Sequence, residues 1–509
     1  MWWIKYLKLV KINLFNQNHF NKKNVFCLLL FIGLALHLIY LFQFDDYFDD
    51  WNFFFTVDSN ISDSETWQRH YFGSRGDGSI LKEAFPWNFT YFTKYVLKFI
   101  GYSVENTHYF LFLFSVFSYF AFYKIADLIL KDFKFVLIAT ILFITNLFLI
   151  RELNSFRPHS LVMLMSLLSN YFFILIFIKN QNTNINFIFY IISTLLMLSF
   201  WPHSLALLGG HFSFLFIIYL KKNNNFLFFF WSPLVILILY ILLNYKYLQY
   251  VAFDNNWSYT HFDLTFFINF FFRSFFGSIV FGGIMLLVFA FYLIEEVKIN
   301  FNYYKKNNFL NIPLLNINVK NFILFNILAI YSAVLVYSIL KESVIAPKYF
   351  LILIPLIIIW VSLKINKNKK DYIYNFIIIF SLFNSIYFWN DLPIDRPPTR
   401  EALKIINNLN IKKIYTTESS VFNNYLSNYN YAIHNKLVIK KLESLKMKDK
   451  TINFAILCLN YPRFKFGATN KKLEDLEPQC EKVFKNKDFR IQEKIFIPDF
   501  FIAISKSNY

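Results

Sequence analysis

Gly-rich phosphate loops, internal repeats and metal-ligand cysteine spacings are all missing from this chain. Three cysteines serve 509 residues: Cys27 lies inside an apolar run, and Cys458 and Cys480 lie in a polar C-terminal stretch. Nothing in their spacing matches a zinc motif, and the absent Gly-rich loop leaves no P-loop nucleotide site. The last two cysteines read either as unrelated thiols or, on an oxidising side of a membrane, as a disulfide. Acidic residues are absent from positions 1–23, which carry Lys5, Lys8, Lys11, Lys22 and Lys23. The first apolar segment has no small-residue cleavage site and is followed by many more such segments, so it reads as an anchor rather than a cleaved signal.

What is abundant is apolar and aromatic: 57% of residues are hydrophobic, and 69 are Phe. That excess excludes a soluble protein of this length and indicates a polytopic membrane protein. The formal charge of +19 does not point to nucleic acid. The lysines collect in short runs between apolar segments, as cytoplasmic loops do under the positive-inside rule.

Residues 1–23 are therefore expected in the cytoplasm, and the first span, about Val25 to Phe44, runs outward with the roughly 20 residues a spanning helix needs. Residues 44–105 hold ten acidic and five basic side chains, as a loop on the far side would. Within it, Ser64 to Phe72 and the amphipathic stretch Asn88 to Ile100 predict interfacial helices, and Arg75-Gly76-Asp77-Gly78 a turn. Further spans are expected at about 107–130, 135–150, 159–178, 187–200, 205–220, 226–244, 273–294, 321–340, 347–363 and 372–389. The basic loop residues (Lys124 to Lys134, Lys179, Lys221-Lys222, Lys298 to Lys320, Lys364 to Lys370) then fall on one side.

The expectation is an α-helical polytopic membrane protein of about eleven transmembrane helices over 24–389. Residues 390–509, which open on Asn390-Asp391-Leu392-Pro393, read as a small C-terminal α/β domain on the extracytoplasmic side. There the helical stretch Thr399 to Asn408 alternates with apolar runs at Ile414-Tyr415, Phe454 to Leu459 and Phe500 to Ile504.

Three stretches could carry chemistry. Asp45-Asp46-Tyr47-Phe48-Asp49-Asp50-Trp51 places four carboxylates within six residues just after the first span. A positioned carboxylate can take the proton of an attacking hydroxyl, and Asp49 and Asp50 are the better candidates because Trp51 and Phe53 to Phe55 follow as stacking surfaces for a sugar. The same cluster also reads as a solvated or calcium-binding acidic loop, although EF-hand spacing is absent. Arg151-Glu152-Leu153-Asn154-Ser155-Phe156-Arg157-Pro158-His159 sets two guanidiniums, whose planar forks match phosphate oxygens, in an outer turn; snorkelling anchors are the other reading. Trp201-Pro202-His203-Ser204 occupies the next outer turn, where His203 reads as structural or substrate-binding.

In order, these features resemble the GT-C superfamily of integral-membrane glycosyltransferases, specifically the protein mannosyltransferase-like and aminoarabinose transferase-like group that uses polyprenyl-phosphate sugars. The acidic pair after the first span matches Asp49-Asp50-Trp51-Asn52-Phe53. The proline-bearing segment is similar to Glu83-Ala84-Phe85-Pro86, which lacks that group's lysine, and the Phe-Gly element to Phe99-Ile100-Gly101. The Arg-Pro-Tyr turn is similar to Arg157-Pro158-His159, the Thr-His element to Pro202-His203, and the late Arg-Tyr-Leu-Leu-Pro pattern to Lys348-Tyr349-Phe350-Leu351 with Pro355. The resemblance implies inverting transfer of a sugar from a polyprenyl-phosphate donor to a glycan, lipid or protein acceptor. The implied membrane is a bacterial inner (plasma) membrane, with the site facing the periplasm or exterior.

It implies Asp49, Asp50 and Glu83 as catalytic, Arg151, Arg157 and Lys348 on the donor phosphate, and Trp51, Trp87, His159 and His203 on substrate. No metal ligands are assigned; a divalent metal is compatible with these residues but not implied. A transporter or flippase would place ionisable residues near the midplane, whereas here the charges lie in outer loops. A polymerase or ligase of lipid-linked glycans would centre on a large late outer loop, and here the large loop is the first.

Overall fold

The long apolar runs up to residue 389 are helical where described, because a helix satisfies its own backbone groups without water. The computed structural model describes residues 22–43, 48–73, 85–181, 183–222, 231–254, 272, 275–304, 313–340, 347–368, 371–389, 399–409, 411, 413–416, 438–441, 454–459, 493–497 and 500–505. The first long helix is α1 (Lys22–Gln43), followed by the short helices α2 (Phe48–Thr56), α3 (Asp63–Phe72) and α4 (Trp87–Ile100). The bundle continues with α5 (Val104–Leu130), α6 (Phe133–Ile144), α7 (Leu147–Leu153), α8 (His159–Phe173), α9 (Asn184–Phe200) and α10 (Leu205–Lys222). Then come α11 (Ser232–Leu243), α12 (Tyr245–Asp254), α13 (Ile279–Tyr304), α14 (Val319–Leu340), α15 (Leu353–Asn368) and α16 (Asp371–Tyr387).

Among the described residues, six helices are long and apolar enough to cross a bilayer, or seven if the bent pair α6 and α7 is one span. This is fewer than the eleven expected, because α9, α11, α15 and α16 are apolar but shorter. The run expected as one span at about 135–150 is in fact two helices meeting at 56°. The break has a local cause. Asn146 caps α7 by accepting the Leu149 N–H at 3.0 Å and donates to the Phe275 carbonyl at 2.8 Å, and asparagine is far better as an N-cap than inside a helix.

Helix α8 sits between α5 and α9, and α10 lies along α14. Close approach is required at Gly33 of α1, where a Cβ would come 2.8 Å from Ile144 Cγ2. Outward-facing Phe31, Phe42, Leu242, Leu287 and Ile386 are exposed, as lipid-facing side chains of spanning helices are.

Contacts sort the connections to two ends of the bundle. At one end, Asp50 meets Phe156, Trp201 meets Tyr349, and Trp389 Nε1 donates to Gln43 Oε1 at 2.7 Å. At the other, Lys320 and Lys364 meet Glu296, Asn366 donates to the Leu130 carbonyl at 3.3 Å, and Lys221 Nζ donates to Asn316 at 3.4 Å.

The segment between α1 and α5 folds into three short helices. Helix α3 begins at Asp63, one residue before the expected start, because Ser62 accepts the Glu65 N–H in a Ser-x-x-Glu cap. It ends at Gly73, whose φ of 65° suits glycine. Lys94 of α4 ties the segment together through Asp63 Oδ1 (2.7 Å), the Ile61 carbonyl (2.9 Å) and Thr66 Oγ1 (2.8 Å). Tyr95 and Phe99, on the other face of α4, are exposed, Phe99 by 92%. Arg75 to Gly78 lie outside the described residues.

The described C-terminal part has α17 (Thr399–Asn408) and strands β1 (Lys413–Thr416), β2 (Val438–Lys441), β3 (Phe454–Leu459), β4 (Glu493–Ile497) and β5 (Phe500–Ser505). They form one mixed sheet in the order β2-β1-β3-β5-β4, parallel for β2-β1-β3 and antiparallel for β3-β5-β4. Cys458 is in register with Phe501, and Cys480 lies outside the described residues.

Candidate active site

The turn joining α7 to α8 collects the polar groups. Pro158 prevents continuation of the helix, so residues 154–158 fold back and present their backbone to α2. Asp50 of α2 is fully buried, and its Oδ1 accepts the Phe156 N–H at 3.0 Å. Helix α2 is held in turn: Tyr102 donates to the Phe54 carbonyl at 2.9 Å and stacks on the Phe54 ring at 4.4 Å. Arg69 donates to the Phe55 carbonyl at 2.7 Å while paired with Glu65.

Arg157, on the same turn, lies with its guanidinium 5.5 Å from the Phe85 ring, a cation–π contact. Phe85 packs against Phe53 of α2 at 5.5 Å. It is fixed from below by His70. The Phe85 carbonyl can only accept, so His70 Nε2 donates to it at 2.9 Å, and Thr90 Oγ1 donates to Nδ1 at 2.9 Å. Burial drives the His70 pKa down to about 3, the Phe85 carbonyl opposes that shift, and the Arg157 charge adds to it. Asp63 is held below its ordinary value, chiefly by hydrogen bonds from Lys94 and then Tyr95.

Glu152 and His159 form the second half of the site. Glu152 Oε1 takes Arg151 Nε at 3.0 Å and Nη2 at 2.8 Å, and its Oε2 lies 3.2 Å from His159 Nδ1. Ser155 Oγ is also 3.2 Å from that nitrogen. His159 Nε2 is buried and has no hydrogen-bond partner among the described residues. Trp201 stands edge-on to His159 at 5.2 Å and donates through Nε1 to the Tyr349 carbonyl at 3.3 Å. His203 stacks on Tyr349 at 4.6 Å with the rings 10° apart. Lys348, in the turn Pro347–Phe350, is near enough for its charge to act on Glu152 and His159.

The structure thus brings together Asp50, Arg151, Arg157, His159, His203 and Lys348 of the residues singled out from sequence. Trp87 stands apart from them, its ring packed on Trp67 at 6.4 Å and Tyr91 at 5.5 Å. Asp45, Asp46 and Glu83 lie outside the described residues, as do the side chains of Asp49 and Trp51. Sequence reading missed Glu152, His70, Phe85 and Tyr349 as parts of the site. Glu152 and His159 stand on opposite sides of Pro158, a spacing that a turn there could have flagged. Among the described residues no three His, Cys, Asp or Glu side chains could hold a metal ion.

Among the described residues, the carboxylates of Asp50 and Glu152 and the cations of Arg151, Arg157 and Lys348 gather at these turns. Guanidinium and ammonium groups beside aromatic surfaces suit an anionic ligand carrying an uncharged ring. No protein-family model matches the chain, and no curated protein matches it. The fold is similar to the crystal structure of ArnT from Cupriavidus metallidurans bound to undecaprenyl phosphate, with a TM-score of 0.49 and 10% identity over 94% of this chain and 97% of that one.

Proposed function

We infer that this protein is a membrane glycosyltransferase that moves a sugar from a polyprenyl-phosphate donor to a glycan, lipid or protein acceptor on the extracytoplasmic face. The observation that carries this reading is the hydrogen bond from the Phe156 N–H to Asp50, which joins the acidic helix after the first span to the turn bearing Arg157. A carboxylate and a guanidinium fixed against one turn are the two groups that sugar transfer from a phosphate requires.

In this reading the carboxylate of Asp49 or Asp50 removes the acceptor's proton as the hydroxyl attacks the anomeric carbon from the face opposite the phosphate, which gives inversion. Arg157 and Lys348 stabilise the charge that develops on the departing phosphate. Arg151 acts with them while paired to Glu152. The order of sequence motifs, similar to that of the GT-C group, supports the same assignment. A prenyl tail must remain in hydrocarbon while its phosphate meets charge at the surface, which accounts for a site at one end of an apolar bundle.

Eleven crossings and a cytoplasmic N-terminus follow if α9, α11, α15 and α16 also span and α6 with α7 counts once. The sorting of connections to two ends supports that topology, with the lysine-rich end inside. The C-terminal sheet then lies on the site's side and shapes the acceptor entrance. Incubating membranes that contain the protein with radiolabelled polyprenyl-phosphate sugars tests the function. Label should move from one donor to a product in wild type and not in Asp50→Asn; no transfer from any such donor would overturn the reading.

A further inference from the structure

Resting on that reading, we propose that Glu152 and His159 are a proton-carrying dyad whose free nitrogen, His159 Nε2, serves the donor's phosphate. Three observations carry it. Glu152 Oε2 engages Nδ1 at 3.2 Å, which fixes the ring and leaves Nε2 as the working atom. Nε2 is buried without a partner among the described residues, and an unmet buried polar atom costs about 1–3 kcal/mol. Around the imidazole stand Glu152, through Oε2 and its carbonyl at 3.3 Å, Ser155 from the turn and Trp201 edge-on, with the charges of Lys348 and Arg157 acting on the ring.

Arg157 and Lys348 set positive charge near the ring against the carboxylate of Glu152. A phosphate anion arriving at Nε2 reverses that balance, because it adds negative charge on the open side and accepts the bond that only a protonated Nε2 can donate. Donor binding therefore draws in one proton. In the transfer step the anomeric C–O bond breaks and its electron pair passes to the phosphate oxygen, which takes the Nε2 proton. The acceptor oxygen forms the new bond to the anomeric carbon, and its own proton passes to the carboxylate of the Asp49-Asp50 pair. Glu152 keeps its charge throughout and acts as a positioning residue for His159.

The test is calorimetric titration of the full-length protein in detergent with polyprenyl methyl phosphate, a monoanion at all working pH values that cannot react. Comparing buffers of different ionisation enthalpy reads the protons taken up. Wild type should take up close to one proton per ligand on the alkaline side, with affinity falling roughly tenfold per pH unit there. His159→Gln should bind with no such uptake and no such slope, and Glu152→Gln, which keeps a partner on Nδ1, should take up measurably less than wild type. Wild-type binding without proton uptake, or uptake that persists in His159→Gln, would overturn the dyad while leaving the donor assignment standing. No binding of the lipid phosphate by wild type would overturn both.

Discussion

Glu296 and Glu152 are both buried carboxylates near the ends of spanning helices, yet their surroundings differ. Glu296 Oε1 is shared by Lys320 Nζ at 2.7 Å and by the buried Lys364, with Glu295 3.7 Å from the same lysine. Two carboxylates there meet two ammonium groups, and the cluster ties together α13, α14 and α15. At the other end, Glu152 pairs with Arg151 and His159 within reach of the Lys348 charge, Asp50 accepts the Phe156 N–H beside Arg157, and His159 Nε2 has no partner among the described residues. Lys348 precedes α15 and Lys364 lies in its last turns, so one helix separates the two clusters by at least about 16 Å. The first cluster pairs its charges across three helices and holds them in place; the second gathers charges of both signs beside aromatic surfaces and a histidine nitrogen without a partner among the described residues, an arrangement that suits a ligand.

The largest expected effect is at the carboxylates of the ligand-binding end. Asp50→Asn should lower transferase turnover roughly 10²- to 10⁴-fold with protein still folded, measured as label transferred per unit enzyme. Asp49→Asn shares this expectation if it is the base. If both variants keep near-full activity, the base lies elsewhere and Glu83 becomes the next candidate. Arg157→Ala should follow, weakening lipid-phosphate affinity and turnover each about tenfold or more, because the guanidinium meets charge in both ground and transition states.

At the opposite end the same kind of change should have the reverse profile. Glu296→Gln leaves the buried Lys364 only the more distant Glu295 carboxylate at 3.7 Å and should lower unfolding stability by about 3 kcal/mol, with lipid-phosphate affinity unchanged. Replacing Glu296 and Lys364 together by apolar residues should restore most of that stability. A loss of donor affinity in Glu296→Gln would erase the distinction between the two ends.

A change in pH reads the ligand-binding end through His70. His70 is neutral in the fold down to about pH 3 but protonates near 6.5 when unfolded. Between those values the unfolded state binds the extra proton, so stability falls as pH drops through that window. The drop should be on the order of a few kcal/mol in wild type and should flatten in His70→Gln, read from unfolding midpoints at a series of pH values. Smallest of all, Asp63→Asn should modestly weaken the hold on the buried Lys94, which keeps the Ile61 carbonyl and Thr66 Oγ1 as partners, read as a small fall in the unfolding midpoint.

These contrasts also show what the sequence could reveal. Over its described residues each run expected as a span is mainly helical, that at about 135–150 as two helices, because hydrophobic length is a property of the chain itself, and Phe454 to Leu459 was legible as a strand from its short apolar run. The break at Asn146 was not, since one polar residue barely alters the hydropathy of a long run while its cap and its bond to Phe275 decide the local geometry. Strands β2 and β4 escaped notice because Val438–Lys441 and Glu493–Ile497 carry lysines that weaken their apolar pattern. In the site, charged residues near span ends were visible as candidates. The pairing of Glu152 with His159 across Pro158, and of His70 with Phe85, depends on chain folding that spacing alone does not specify.

The most direct measurement is photolabelling of the wild-type protein in membranes with a polyprenyl phosphate bearing a photoreactive group beside the phosphate, followed by mapping of the labelled residues. Label is expected on the turns at 154–158, 201–204 and 347–350, and to be displaced by unmodified polyprenyl phosphate. Displaceable label around Glu296, Lys320 and Lys364, with none on those turns, would contradict the account.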